Sequence, residues 1–298
     1  MLGAIGDLVE DVVVHLRESV NVASDTAALI MHRRGGSAAN VIAAACLAGG
    51  TARFIGQVGD DAAGRALTDA LAATGADVKV RRAGRTGTVI ALLDVAGERT
   101  MLTDRGACSE LADPDPAWLD GLDTLHIPFY SFVGEPLATS AMTLARWAGE
   151  RNIAISIDTS SSAVLNHVGA TAAIDIIRAL RPTVVLANEL EAATLGAALQ
   201  PDNLNGALVV VKQGALPAIV LHAGQPRREV AAVALARQRH RHHRSGRRVR
   251  GWIPALTCGQ SRSGCRRVAR ASGGSRRHSA RQRVEGQAVE GHAVQVTP

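Results

Sequence analysis

Between residues 124 and 221 the chain alternates short apolar, β-branched runs with helix-forming stretches, and this limits the fold more than any other feature. Runs at 124–127, 153–157, 184–186, 208–211 and 218–221 read as strands. Stretches 136–151, 170–180 and 189–195 read as helices. Strands that are apolar throughout are buried on both faces. The expectation is an α/β fold with a mostly parallel central sheet flanked by helices. Ligands of such sheets sit at the carboxyl ends of the strands.

The first half departs from that rhythm. Runs 2–5 and 12–16 flank the turn-like Gly6-Asp7, and 27–32 is a further apolar run. Gly35-Gly36-Ser37 breaks the chain before a helical stretch over 38–48. Segment 53–58 reads as a strand, and Asp60-Asp61 starts a helix that runs through Leu71 and ends by Gly75. Runs 78–82, 88–95 and 99–103 read as strands, with Ala96-Gly97-Glu98 as the turn between the last two. The early strands, within about 8–33 and 78–103, are expected to form a small β lid.

Composition sets the class. The 298 residues are 47% hydrophobic and 20% charged, which suits a globular protein and is too apolar for a disordered one. No apolar run approaches the ~18 residues of a membrane span. The segment from Met1 to Asp7 has no basic start and no long apolar stretch, so no secretory signal is expected. The four cysteines include no C-x-x-C pair, against a disulfide scaffold and a standard zinc site. A cytoplasmic protein is expected.

Charge divides the chain. Residues 237–298 hold fifteen Arg, no Lys, and only Glu285 and Glu290 as acids, a net +13. The whole chain carries +6, so residues 1–236 carry −7. An acidic body of 1–236 thus precedes a basic tail of 237–298, and the pI of about 9.9 belongs to the tail.

Chemistry concentrates in a few places. Gly35-Gly36-Ser37-Ala38-Ala39-Asn40 is a glycine turn feeding a helix N-terminus, where backbone N–H groups can meet an oxygen-rich ligand. The diglycine alone also fits an ordinary strand-to-helix turn. The turn is followed by Gly49-Gly50 and by Phe54-Ile55-Gly56-Gln57-Val58-Gly59-Asp60-Asp61. Together these resemble the N-terminal signature of the PfkB (ribokinase-like) family of carbohydrate and nucleoside kinases.

The resemblance extends over residues 1 to about 236. Gly6-Asp7-Leu8-Val9-Glu10-Asp11 is similar to the family's opening strand and turn. There an acid at the place of Asp11 takes hydrogen bonds from substrate hydroxyls, which a two-oxygen acceptor suits. By the same resemblance Gly35, Gly36 and Asn40 bind substrate, and Arg105 lies near the phosphoryl acceptor. Asn188-Glu189-Leu190-Glu191 resembles the family's N-x-x-E motif, in which Asn188 and Glu191 organise ATP phosphate and Mg²⁺, with Glu191 acting through water. A helix cap followed by first-turn acids reads the same locally. Lys212 and Gly214, within Val209-Val210-Val211-Lys212-Gln213-Gly214, fall where the family borders the nucleotide. The family usually has another glycine where Pro217 stands. Asp158 falls where the family often has an acid at a strand end.

The family's D-T-x-G-A-G-D segment is absent. Its glycines give backbone amides to the transferring phosphate, and its last Asp is the general base. In its place stands Arg239-His240-Arg241-His242-His243-Arg244-Ser245-Gly246-Arg247-Arg248-Val249-Arg250-Gly251-Trp252-Ile253. Back-translated and read one nucleotide later, this stretch permits Gly-Thr-Asp-Thr-Thr-Gly-Ala-Gly-Asp-Ala-Phe-Ala-Ala-Gly-Phe. Arg codons followed by C readily yield small or acidic residues, so part of that match comes easily. His to Thr, three times, and Trp to Gly are tightly constrained. An Arg-rich tail without Lys is also what a GC-rich gene gives out of frame. The expectation is a frame change shortly before Arg239, with Arg247 at the place of the catalytic Asp.

The expected function is therefore ATP-dependent phosphorylation of a sugar or nucleoside hydroxyl, impaired in this chain. The mechanism is in-line attack of the hydroxyl on the γ-phosphate. A catalytically dead sugar- or nucleoside-binding remnant is the alternative. A basic arm binding nucleic acid or anionic membrane is a weaker one, as is a metal on His240, His242 and His243, because neither accounts for the lost motif. The expected partners are a small sugar or nucleoside and a second copy of the chain through the lid, with neither nucleic acid nor membrane.

Overall fold

The computed structural model describes residues 1–232. The apolar runs pair as one nine-stranded sheet, with strands numbered in chain order. It contains β1 (Leu2–Ile5), β4 (Ala52–Val58), β5 (Asp77–Arg82), β8 (Thr124–Pro128) and β9 (Ala154–Asp158). It continues with β10 (Val184–Asn188), β11 (Leu208–Lys212), β12 (Ala218–Leu221) and β13 (Arg228–Val230). The order is β13-β12-β11-β10-β9-β8-β1-β4-β5. Pairing is parallel from β5 to β11, and the last two strands turn back antiparallel.

Side-chain alternation along these strands divides the core. On β10 and β11, Val185, Ala187, Val209 and Val211 face the larger core. It also takes in α3 (Leu137–Glu150), α4 (Ser162–Val168), α5 (Ala170–Ala179) and α6 (Glu189–Leu195). Ile5 and Ile55 join this side. Their neighbours Ala4 and Phe54 pack into a second core with α1 (Ser37–Leu47) and α2 (Ala62–Ala72). Each fully buried Leu, Ile or Phe contributes about 1.5–3 kcal/mol of transfer free energy. Behind β10–β12, Leu186, Val210 and Ala218 form a small third cluster, with Val184, Leu208 and Val220 only half-buried.

A separate four-stranded sheet is the lid. It comprises β2 (Val9–Leu16), β3 (Ala28–Gly35), β6 (Thr86–Leu93) and β7 (Arg99–Gly106), in the order β3-β2-β6-β7. The β2–β3 and β6–β7 pairs are antiparallel, and β2 and β6 join them in parallel. Residues 78–82, expected among the lid strands, instead form β5 at the edge of the large sheet, where Val78 and Val80 pack against the second core. The β2 strand begins at Val9, so Asp11 lies within a strand and not in a turn.

The lid is tied to the body at its base by Asp61. This residue caps α2 through Gly64 N–H (2.7 Å) and accepts from Thr86 N–H (2.8 Å) and Thr86 Oγ1 (2.6 Å) at the start of β6. Thr86 Oγ1 also accepts from Gly59 N–H. The hydrogen bonds from Thr86 and Gly64 hold the Asp61 carboxyl down at about 2.

Candidate active site

The first group forms at the carboxyl end of β1. The chain leaves β1 at Gly6-Asp7, and α1 starts against it, with Ala39 N–H donating to the Asp7 carbonyl. Gly36 takes φ 99°, and a Cβ there would overlap the Asp7 carbonyl oxygen. Both the conformation and the close approach require glycine. On the lid side, Asp11 of β2 stands opposite Arg33 of β3, and its carboxylate leans over Gly35. A Cβ at Gly35 would overlap that carboxylate. Asn40 lies one turn into α1, its N–H donating to the Gly36 carbonyl and its Oδ1 accepting from Arg34 Nη1 at 3.2 Å. The structure thus gathers Asp11, Gly35, Gly36 and Asn40 where the lid meets the body.

Arg105 sits beside them in a different role. Its guanidinium grips Asp7 through two bonds of 2.9 and 2.7 Å and donates to the carbonyls of Tyr130 and Val133. Burial alone would lower its pKa, but the charge and hydrogen bonds of Asp7 raise it. The side chain clamps the end of the lid strand β7 to the β1 turn and to the segment after β8.

The second group forms at the carboxyl ends of β9, β10 and β11. Asn188 ends β10 and caps α6 in a reciprocal box with Glu191. Glu191 is 1% exposed. Its oxygens accept from Asn188 N–H, Asn188 Nδ2 and Thr159 Oγ1, at 2.7–2.8 Å. Lys212 ends β11, and its ammonium donates to Asp158 Oδ2 at 2.6 Å, with side chains 3% and 1% exposed. Lys212 is therefore turned into the sheet end. Gly214, in the following loop, takes φ 63° with open space around its Cα, so its demand is conformational.

The family model for pfkB family carbohydrate kinases matches residues 3–235. The chain belongs to this family. A fructokinase from Escherichia coli is 37% identical over 124 residues, 39% of this chain and 40% of the relative. The chain thus matches well under half of that relative's length. An adenosine kinase from Sinorhizobium meliloti superposes with a TM-score of 0.72 at 21% identity, over 87% of this chain and 88% of the other. A sugar kinase from Pyrococcus horikoshii in complex with ATP gives 0.65 at 18%, over 79% and 78%. These likenesses show that the pfkB-family chain has the ribokinase fold.

Some site features escape a reading of the sequence. Asp7 looks like a turn acid, and its partner Arg105 lies 98 residues away, beyond any local signal. The Asp158–Lys212 pair is likewise joined only by the fold, and Arg34, six residues before its partner Asn40, belongs to no motif. Lys212 and Asp158 both stand at strand ends, and that shared placement is the signal that could have linked them. Arg247, with the tail 237–298, lies outside the described residues.

Proposed function

We propose that residues 1–236 form the body of an ATP-dependent sugar kinase, and that a frame change shortly before Arg239 leaves it able to bind sugar but a poor catalyst. The observation that carries this reading is the gathering of Asp11, Gly35, Gly36 and Asn40 at the carboxyl end of β1, beneath a glycine-started helix. An acceptor-only carboxylate beside an amide suits a ligand hydroxyl, which must both donate and accept. Fructokinase is the name of the curated relatives, so D-fructose is the first sugar to try. The family match ends at residue 235, beside the point where the shifted reading begins.

For the phosphoryl donor, Asn188 and the loop at Gly214 are the described residues that border the nucleotide in this reading. Lys212 acts there through Asp158, by fixing the ends of β9 and β11. The residues do not fit a directly ligated Mg²⁺. The Glu191 carboxylate is buried and both its oxygens already accept hydrogen bonds, so in this reading it reaches Mg²⁺ through water. The protein's own part is to orient the sugar hydroxyl and exclude water.

No helix among the described residues is long and apolar enough to cross a membrane. The reading places the kinase in the cytoplasm, where ATP is available. It also assigns the lid to pairing with a second copy, because its edge strands expose Leu29, Ile30, Met101 and Leu102. A monomeric mass by light scattering at micromolar concentration would remove that assignment.

The test of function is a coupled ADP-release assay over a panel of sugars and nucleosides. It compares this chain with a version re-read one nucleotide later from codon 239, beside calorimetric titration with D-fructose. Binding by both and turnover only by the re-read chain is the expected result. Equal, substantial turnover by both would overturn the impaired-kinase reading.

A further inference from the structure

We infer that Arg34 is a positioning residue for sugar recognition: it fixes the orientation of the Asn40 amide so that Nδ2, and not Oδ1, faces the ligand. The inference rests on the sugar-site reading above. Arg34 Nη1 lies 3.2 Å from the Asn40 amide. A guanidinium has only donors, so the atom facing it must be the amide oxygen. That leaves the two N–H bonds of Nδ2 for another partner. Asp11, whose carboxylate leans over Gly35 next to Arg34 in the chain, offers only acceptors. The pair therefore divides the work on a ligand hydroxyl. The hydroxyl proton goes to Asp11, and its lone pair takes a bond from Asn40. With the amide reversed, both groups would present acceptors, and a hydroxyl has one proton to give.

The placement of Arg34 suits a fixed role. It stands in β3, one residue before Gly35, and is partly buried. Burial lowers its pKa, while the negative charge of Asp11 acts against that loss. A half-buried guanidinium bonded to a neighbouring amide has less freedom than one in solvent. Neither the glycine turn nor the family signature in the sequence marks position 34 for this task.

The experiment is a double-mutant cycle on the full chain and on its re-read version, with D-fructose, D-ribose and adenosine as calorimetric probes. Arg34→Ala should weaken the best-binding probe about three- to tenfold, the range for one lost hydrogen bond. Arg34→Lys should keep most of the affinity, because an ammonium is also donor-only. Combining Arg34→Ala with Asn40→Ala should weaken binding no further than Asn40→Ala alone, since the first acts through the second. Melting temperatures of each variant separate loss of fold from loss of recognition. Additive losses in the double variant, or unchanged affinity in Arg34→Ala, would overturn the role of Arg34 while leaving the site in place. Absence of binding by either parent protein to every probe would overturn the sugar-site reading and this inference together.

Discussion

The carboxylate of Asp11 lies over the Cα of Gly35 on the neighbouring lid strand, so close that a Cβ at 35 would overlap it. The two residues thus form one feature, a glycine that makes room for the acid. Gly36, next in the chain, serves the backbone instead, with φ 99° and the Asp7 carbonyl against its Cα.

That difference predicts two distinct phenotypes. Gly35→Ala displaces Asp11 and should weaken D-fructose binding roughly two- to tenfold, with little change in melting temperature. Gly36→Ala meets backbone in a conformation that disfavours a side chain, and should cost at least about 1–3 kcal/mol of stability. Calorimetry and thermal denaturation on the pair check this. Loss of stability at Gly35 with intact folding at Gly36 would contradict the assignment.

Lys212 and Asp158 make a second prediction. Removing one member of a buried ion pair strands the other charge, at about 3–5 kcal/mol. Lys212→Met should fall in that range by urea denaturation. Adding Asp158→Asn should recover most of the loss, because the amide is neutral and its oxygen can still accept from Ser160 N–H. A cost below about 1 kcal/mol for Lys212→Met would mean that water reaches the pair.

The middle of the large sheet was legible in the sequence because strands such as β9, β10 and β11 are mostly apolar and the helices carry their own start signals, Asp61 and Asn188 among them, whereas its edge strands β5 and β13 are largely charged. The lid was harder. Its strands are half-exposed, and Val78 and Val80 look like lid residues until their packing against the second core is seen. The glycine turn and Asn40 were legible as a motif. The charge pairs around the sites were not, because Arg105 and Lys212 meet Asp7 and Asp158 only through the fold, and no motif marks Arg34 as the partner of Asn40. A local pattern reports backbone demands well, and long-range charge pairing hardly at all.

Asp61 predicts a pH dependence. Its carboxyl is held at about 2, below the ordinary 3.8, by bonds from Thr86 and Gly64. The folded state therefore favours the ionised form. The stabilisation is fully present above about pH 5 and is lost as pH falls through 3.8 toward 2. Allowing for solvent at this partly exposed site, it amounts to about 1 kcal/mol. Asp61→Asn should lower stability at pH 7 and flatten the acid limb between pH 5 and 2. Parallel acid limbs for the two proteins in urea titrations would remove Asp61 as their source.

The last prediction separates the two parts of the proposed catalytic lesion. Arg247 stands where re-reading places the general-base aspartate. A guanidinium stays protonated at any usable pH and cannot take the hydroxyl proton. Loss of a general base commonly costs ~10²–10⁴ in rate. In the proposed reading the shifted segment also loses the glycine-rich run whose amides would meet the transferring phosphate, worth ~10²–10³ per donor in comparable sites. Restoring the acid alone therefore leaves the electrostatic part missing. Arg247→Asp in the chain as it stands should give no measurable ADP release, even with D-fructose bound. In the re-read chain, replacing the aspartate at position 247 by asparagine should lower kcat by ~10²–10⁴ while leaving sugar affinity nearly unchanged. Both results come from one coupled assay, with calorimetry to confirm binding. Substantial turnover by Arg247→Asp alone would show that the segment around it already supplies the phosphate contacts, and that the lesion is the single charge.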